Sequence, residues 1–211
     1  MTTIGLIGYG ALGTQIEEMM KQYGDTEYSF LYYDDIAAEK GISGAHGFRE
    51  YVNANSNVEF IVALGYRHLQ TKKTIIKDLI RSGKKLHTFV HPTAFVNKTA
   101  KIGQGVVIYP MSNIDTGVTI GNGCLLNNSV VVSHDSIIEE CCFLAPAVAL
   151  SGQVNIGSCT FIGTNSCVAN GITIGEGCTI GIGTSVTTSV APQKTAIGNP
   201  MHIVDNGITL V

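Results

Sequence analysis

The sequence predicts a Rossmann-like α/β subdomain followed by an all-β, left-handed parallel β-helix of hexapeptide repeats. The first observation is a period. Sampled every sixth residue from Val90, the chain gives Val90, Val96, Ile102, Ile108, Ile114, Ile120, Leu126, Val132, Ile138, Leu144, Leu150, Ile156, Ile162, Val168, Ile174, Ile180 and Val186, all aliphatic and unbroken. The second is a glycine-rich turn, Gly8-Tyr9-Gly10-Ala11-Leu12-Gly13, between a strand-like and a helix-like run. The third is a shift in composition. Residues 1–86 hold ten of the 13 Lys and Arg, whereas residues 87–211 hold only Lys98, Lys101 and Lys194. The two regions are therefore expected to be built differently, as units 1–86 and 87–211, with the junction near Leu86–His91.

In the first unit, Thr3–Ile7 reads as a buried strand and Gln15–Tyr23 as a helix. Tyr28–Tyr33 reads as a second strand ending at Asp34-Asp35, Glu59–Leu64 as a third ending at Gly65, and Lys72–Arg81 as a further helix. A strand, a Gly-rich turn and a helix suit a diphosphate, because the bare backbone approaches it closely and the helix N-terminus favours its charge. Asp34 or Asp35 can accept hydrogen bonds from a ribose or a sugar. The unit is about half the size of a full dinucleotide fold, so the motif points to a nucleotide diphosphate more than to NAD. Tight packing of strand on helix is the alternative.

In the second unit, a period of six fits neither an amphipathic helix nor a flat alternating strand. It fits a triangular coil in which three hexads make one turn and coils stack ~4.8 Å apart. The aliphatic residue fills the prism. A small residue four places on, such as Ser112, Cys124, Ser136, Cys142, Thr160, Ser166 or Cys178, lets the chain turn a corner. Residues 18 apart should lie above one another, so Cys124, Cys142 and Cys178 share an inward column as reduced, space-filling thiols. Open coil ends expose strand edges. The first unit is expected to cover one end, and Ala196–Val204 to fold back over the other.

A net charge of −3 gives no general attraction to nucleic acid. No apolar run reaches the ~20 residues of a membrane span, and Met1–Gly5 lacks the basic start of a signal peptide. A cytoplasmic protein is expected.

From Val90 on there are three histidines, His91, His134 and His202. His91 and His134 are not spaced by a multiple of the coil, so no metal site is expected. His134 follows the inward Val132 by two places and should point outward, with Asp135 beside it to orient the imidazole and raise its basicity. An ordinary imidazole pKa of ~6.5 suits a general base at neutral pH; a merely solvated histidine is the alternative. Gly152 lies one coil above His134, where its N–H can meet a thioester oxyanion.

These features together resemble the PglD/NeuD-like bacterial sugar acetyltransferases, which join a small Rossmann-like domain to a left-handed β-helix. The resemblance rests on Gly8-Tyr9-Gly10, Asp34-Asp35, His91-Pro92-Thr93-Ala94, the block Val132–Gly152, Thr164-Asn165-Ser166 and Gly198-Asn199-Pro200. It implies His134 as general base, with Asp135 increasing its basicity. It implies that Gly8, Tyr9, Gly10, Asp34, Asp35 and Gly65 bind the sugar nucleotide. It also implies a homotrimer with acetyl-CoA in the groove between prisms, by Phe143, Gly152, Thr164 and Ile182. The expected activity is N-acetylation of a nucleotide-linked 4-amino-6-deoxy sugar by direct attack. O-acetylation of a sialic-acid-like sugar is the alternative, and a nucleotide-sensing β-helix without activity is a distant third. Glu139 departs from the Ile-Gly step common in the family, and the loop Gly65-Tyr66-Arg67-His68 is this chain's own.

Overall fold

The computed structural model describes residues 1–204. The first unit is a five-stranded parallel sheet in the order β3-β2-β1-β4-β5. Its strands are β1 Thr2–Ile7, β2 Tyr28–Tyr33, β3 Ala45–His46, β4 Val58–Val62 and β5 Lys85–Leu86. Helix α1 (Ala11–Tyr23) follows β1, the short α2 (Asp35–Glu39) follows β2, and α3 (Leu69–Arg81) leads into β5. Three elements escape the sequence pattern: α2, β3 and β5 are too short to show a period. Helices α1 and α3 begin several residues earlier than their apolar periodicity, because the Gly-rich turn and the 3₁₀ turn Tyr66–His68 feed directly into them.

The remainder is a left-handed parallel β-helix of two-residue strands in three sheets. The first face runs from Phe89–Val90 through Val107–Ile108, Leu125–Leu126, Phe143–Leu144, Phe161–Ile162 and Thr179–Ile180. The second carries Phe95–Val96, Asn113–Ile114, Val131–Val132, Ala149–Leu150, Cys167–Val168 and Ser185–Val186; the third carries Lys101–Ile102 through Thr173–Ile174. Pairing is in register one coil apart, as in Val132↔Leu150 and Ile138↔Ile156. The aliphatic column from Ile108 to Val186 is buried throughout.

The corner is turned by the residue just before the small one. Gly105, Gly123, Cys141, Cys159 and Gly177 stack on the edge between third and first faces, all with positive φ. Met111, Ser129, Ala147, Asn165 and Gly183 do so between first and second faces, and Gly117, Asp135, Gln153 and Gly171 between second and third. The small residue itself points inward and satisfies a carbonyl. Cys124 Sγ donates to Glu139 O at 2.9 Å, Ser136 Oγ to Ser151 O at 3.1 Å and Thr160 Oγ1 to Gly175 O at 2.9 Å. These polar atoms therefore close the hydrogen-bond inventory of a dry interior. Burial pushes the Cys141 thiol up to about 12 and Cys142 well above the ordinary thiol range, which leaves both poor nucleophiles.

One expectation is corrected. The first unit does not cover an end of the prism; it lies against the first face. Val107, Leu125, Phe143 and Phe161 point outward from that face and are buried in one cluster with Ile75, Ile76, Leu79 and Leu86. Tyr66 stacks on Phe161 at 4.4 Å, and Lys73 reaches across to Ser158 Oγ at 2.8 Å. The first coil is left open, so Val90 is 37% exposed instead of filling the prism. At the other end Thr195–Ile197 adds to the first face, and His202–Val204 pairs antiparallel with it. No helix among the described residues is long and apolar enough to cross a membrane.

Candidate active site

His134 and Asp135 occupy a corner between the second and third faces. Asp135 takes the left-handed turn conformation at φ 57 and directs its carboxylate back, so His134 Nδ1 lies 3.0 Å from Asp135 Oδ2. That contact orients the ring, and Nε2 is turned toward Gly152. Both side chains are more than half exposed in the single chain. The corner is built for them. A β-carbon at position 117 would lie 2.5 Å from the Asp135 carboxylate, and one at position 152 would lie 2.4 Å from His134 Nε2. Gly117 and Gly152 are thus the spaces into which the acid and the imidazole fold. Among the described residues the Gly152 N–H donates no hydrogen bond, and Gly152 itself lies against the imidazole edge. His134 and Gly152 lie one coil apart, as the period predicts. Asn170, one coil further, places Oδ1 2.9 Å from the same β-carbon position. Continuing the 18-residue step from His134 would have found it.

Gly152→Ala tests this packing. Its backbone is not in the left-handed region, so alanine suits the chain, but the methyl group displaces the imidazole. A displacement of about 1 Å at a reacting group can cost roughly 100-fold. The expected result is a kcat lowered about that much with a melting temperature near wild type, read by thiol release and thermal unfolding.

Thr164 and Ile182 lie elsewhere, one above the other at the edge between first and second faces. Gly183 N donates to Thr164 O at 2.8 Å, and Ile182 is 73% exposed. Phe143 is not with them: its ring is buried under the first unit, 6.0 Å from Tyr66 and 5.8 Å from Phe161. The resemblance placed it in the groove; here it anchors the two units, because its outward position belongs to the covered face.

The third cluster is the Gly-rich turn. Its glycines differ in need. Gly8 has φ +91, and a β-carbon at Gly13 would lie 2.5 Å from Gly8 O, so these two permit the turn and the close helix. A β-carbon at Gly10 meets nothing within 4 Å. Gly10 is the N-cap of α1, with no side-chain cap and no acid in the first turn, so the positive end of a 13-residue helix faces open space. Asp34 ties turn to strand: Oδ2 accepts from Tyr9 N at 2.9 Å and Oδ1 from Ala37 N at 3.0 Å. Asp35 accepts from Phe48 N at 2.8 Å. Both carboxylates therefore shape the site, with lone pairs left for a ligand. Gly65 caps the turn that carries Tyr66. Glu17, absent from the sequence reading, is buried and accepts from Tyr9, Tyr32 and Lys21. Burial opposes its charge, but these donors outweigh that and hold its carboxyl below the usual range.

Three separate places thus carry the expected residues. His134, Asp135 and Gly152 share one edge, Thr164 and Ile182 a second, and the Gly-rich turn with Asp34, Asp35 and Gly65 belongs to the unit on the first face. The His134 edge is the one opposite that face. Among the described residues no cluster of three or more His, Cys, Asp or Glu could hold a metal ion.

No protein-family model and no curated protein sequence matches the chain. Solved structures do. The acetyltransferase domain of PglB from Neisseria gonorrhoeae, in complex with acetyl coenzyme A, is 26% identical with a TM-score of 0.83, the match covering 96% of this chain and 98% of that one. PerB from Caulobacter crescentus, in complex with CoA and GDP-perosamine, is 25% identical with a TM-score of 0.83, covering 97% of each. WeeI from Acinetobacter baumannii, at 21% identity and a TM-score of 0.85 over 97% of this chain and all of its own, shares the fold. On fold, length and sequence likeness together, the chain is an acetyltransferase that resembles the PglD/NeuD-like, hexapeptide-repeat sugar acetyltransferases along nearly its whole length.

Proposed function

We propose that the chain transfers the acetyl group of acetyl-CoA to the amine of a nucleotide-linked 4-amino-6-deoxy sugar in the cytoplasm, as a homotrimer without a metal. The single observation that carries this is the His134 corner: an imidazole tied to a carboxylate and packed against Gly152, whose backbone N–H is unused among the described residues. The amine nitrogen attacks the thioester carbonyl while His134 Nε2 removes its proton. The carbonyl oxygen gains negative charge and is met by Gly152 N–H. Collapse of the tetrahedral intermediate expels CoA as the thiolate, which takes the proton back through His134. No acetyl-enzyme forms, which fits the raised thiol pKa values of Cys141 and Cys142.

Residues 1–86 hold the acceptor, with its diphosphate at Gly8, Tyr9 and Gly10, and Asp34, Asp35 and Gly65 around it. The prism from residue 87 holds CoA along Thr164 and Ile182. Because the first unit and His134 lie on opposite sides of one prism, the acceptor on one subunit meets the His134 of a neighbour. PglB in complex with acetyl coenzyme A and PerB in complex with CoA and GDP-perosamine support the two ligand classes.

The test is thiol release from acetyl-CoA with UDP-, dTDP- and GDP-linked 4-amino sugars, set against CMP-linked and free sialic acid. Release with an amino-sugar nucleotide supports the reading. Release with sialic acid alone overturns it in favour of O-acetylation, and release with none overturns the activity.

A further inference from the structure

The corner column that holds His134 runs on at 18-residue steps as Thr116, His134, Gly152 and Asn170. Bonds between coils fix the stacking. Asp135 N donates to Thr116 O at 2.9 Å, Gln153 N to His134 O at 2.9 Å and Gly171 N to Gly152 O at 3.0 Å. The lower neighbour of His134 is engaged, because Thr116 Oγ1 accepts from Asn97 Nδ2 at 3.1 Å. Asn170, at the upper end, is exposed, and among the described residues its side chain has no hydrogen-bond partner. Other asparagines of the coils tie the backbone. Asn97 Oδ1 accepts from Thr99 N at 3.0 Å, Asn122 Oδ1 from Gln104 N at 2.8 Å and Asn127 Oδ1 from Asn128 N at 2.8 Å. The Asn170 carboxamide holds no such turn together.

Gly152 is what lets two polar groups converge. His134 Nε2 lies 2.4 Å, and Asn170 Oδ1 2.9 Å, from one point, the β-carbon position at 152. The two atoms make no hydrogen bond to each other among the described residues. A side chain at 152 would fill the space they share. The bare glycine leaves a notch with a ring nitrogen on one wall and an amide oxygen on the other.

Both walls accept. Nδ1 of His134 faces the Asp135 carboxylate and carries the ring proton, which leaves the lone pair on Nε2. Oδ1 of Asn170 is a carbonyl oxygen. A reacting group that satisfies both brings two donor hydrogens on one atom. A primary amine has them. An alcohol has one, and once His134 takes it nothing is left for Asn170. The second contact also strengthens during reaction. The nitrogen gains positive charge as it attacks the thioester, and a charge-assisted hydrogen bond is roughly twice as strong as a neutral one. An interaction stronger in the transition state than in the ground state raises kcat.

Resting on the function proposed above, we infer that Asn170 is a specificity-determining residue of the transfer: its side-chain carbonyl accepts the second N–H of the attacking amine while His134 takes the first, which aims the nitrogen lone pair at the thioester and favours an amine over an alcohol. The proton passed to His134 leaves with the thiol, and the hydrogen held by Asn170 stays on the nitrogen of the amide product. His134, Gly152 and Asn170 belong to one chain, so in the proposed assembly they act together on the acceptor of a neighbour.

Asn170→Ala and Asn170→Asp test the inference, with thiol release from acetyl-CoA and an amino-sugar nucleotide as the assay. A hydrogen bond to a charged group corresponds to roughly a 10- to 100-fold change in rate, so alanine should lower kcat by that much. KM for both substrates should stay near wild type, and so should the melting temperature, since the side chain lost is exposed and unpartnered. Transfer to the matching 4-hydroxy sugar nucleotide should not fall. Aspartate keeps the accepting oxygen and adds a charge beside Nε2. Asp135 is the one ion-pair partner His134 has among the described residues, and a second carboxylate favours the imidazolium further. The acidic limb of the kcat profile should therefore move to higher pH in Asn170→Asp, with a plateau rate above that of Asn170→Ala. Wild-type kcat in the alanine variant overturns the inference, as does a rise in acceptor KM alone, an equal loss with the 4-hydroxy sugar, or an unmoved pH profile in the aspartate variant. Each of those results leaves amino-sugar acetylation by wild type standing. Wild type that acetylates no amino-sugar nucleotide removes the proposed function itself.

Discussion

Replacing His134 with alanine is expected to lower kcat by about 10²–10⁴-fold, the range general-base catalysis contributes. KM for acetyl-CoA should change little, since in the proposed mechanism the imidazole acts on the acceptor's proton and CoA follows Thr164 and Ile182. Stability should also hold: the ring is half-exposed and its one carboxylate partner lies in solvent, so loss of that pair costs less than ~1 kcal/mol. Thiol release under saturating acetyl-CoA measures the first quantity and thermal unfolding the last. A variant that keeps most of its kcat would show that His134 is only a solvated corner residue. The size of the effect follows from the corner itself. Gly117 and Gly152 leave room for Asp135 and His134 and for no side chain of their own, so the pair is held by the prism and not by loop chance.

The prism was legible because its chemistry repeats. Seventeen aliphatic residues at one spacing admit a single geometry, and the spacing then placed Gly152 over His134 without any further information. What stayed hidden was the docking of the first unit, although a signal for it exists. The residue before each inward aliphatic points outward. On the first face this series reads Val107, Leu125, Phe143, Phe161; on the second, Asn113, Val131, Ala149, Cys167; on the third, Thr119, Ile137, Asn155, Thr173. Only the first is large and apolar over these four coils, before Thr179 ends the run, and each such side chain gains about 1.5–3 kcal/mol on burial. The face that receives the first unit is thus written every eighteenth residue, at a phase of the repeat shifted by one from the core. Phe143 was assigned to the groove by likeness alone, and this series moves it under the first unit. The turn residues Asp34 and Asp35 were legible as acids but not as caps, because Asp34 serves Tyr9 and Ala37 through contacts that no spacing rule contains.

A mixture of two inactive variants is expected to regain activity. Gly10→Asp keeps the fold, since a β-carbon there meets nothing and aspartate is a good N-cap. Its carboxylate then occupies the place of the diphosphate, and like charges in contact cost several kcal/mol, enough to abolish acceptor binding at ordinary concentrations. His134→Ala keeps the acceptor site and lacks the base. If each chain used its own His134, mixed oligomers would contain no complete site. The geometry argues otherwise: the first unit lies on the face opposite the His134 edge. In the proposed assembly an acceptor held by one subunit is deprotonated by the next. In a cyclic trimer assembled at random from equal amounts of the two chains, a site is complete when an alanine-variant subunit supplies Gly10 and its neighbour, the aspartate variant, supplies His134; that arrangement accounts for about a quarter of sites. Co-refolded or co-expressed mixtures should reach about that fraction of wild-type rate, whereas the two proteins combined after assembly should stay inactive until subunits exchange. Verified mixed trimers without activity would mean that acceptor and base come from the same chain.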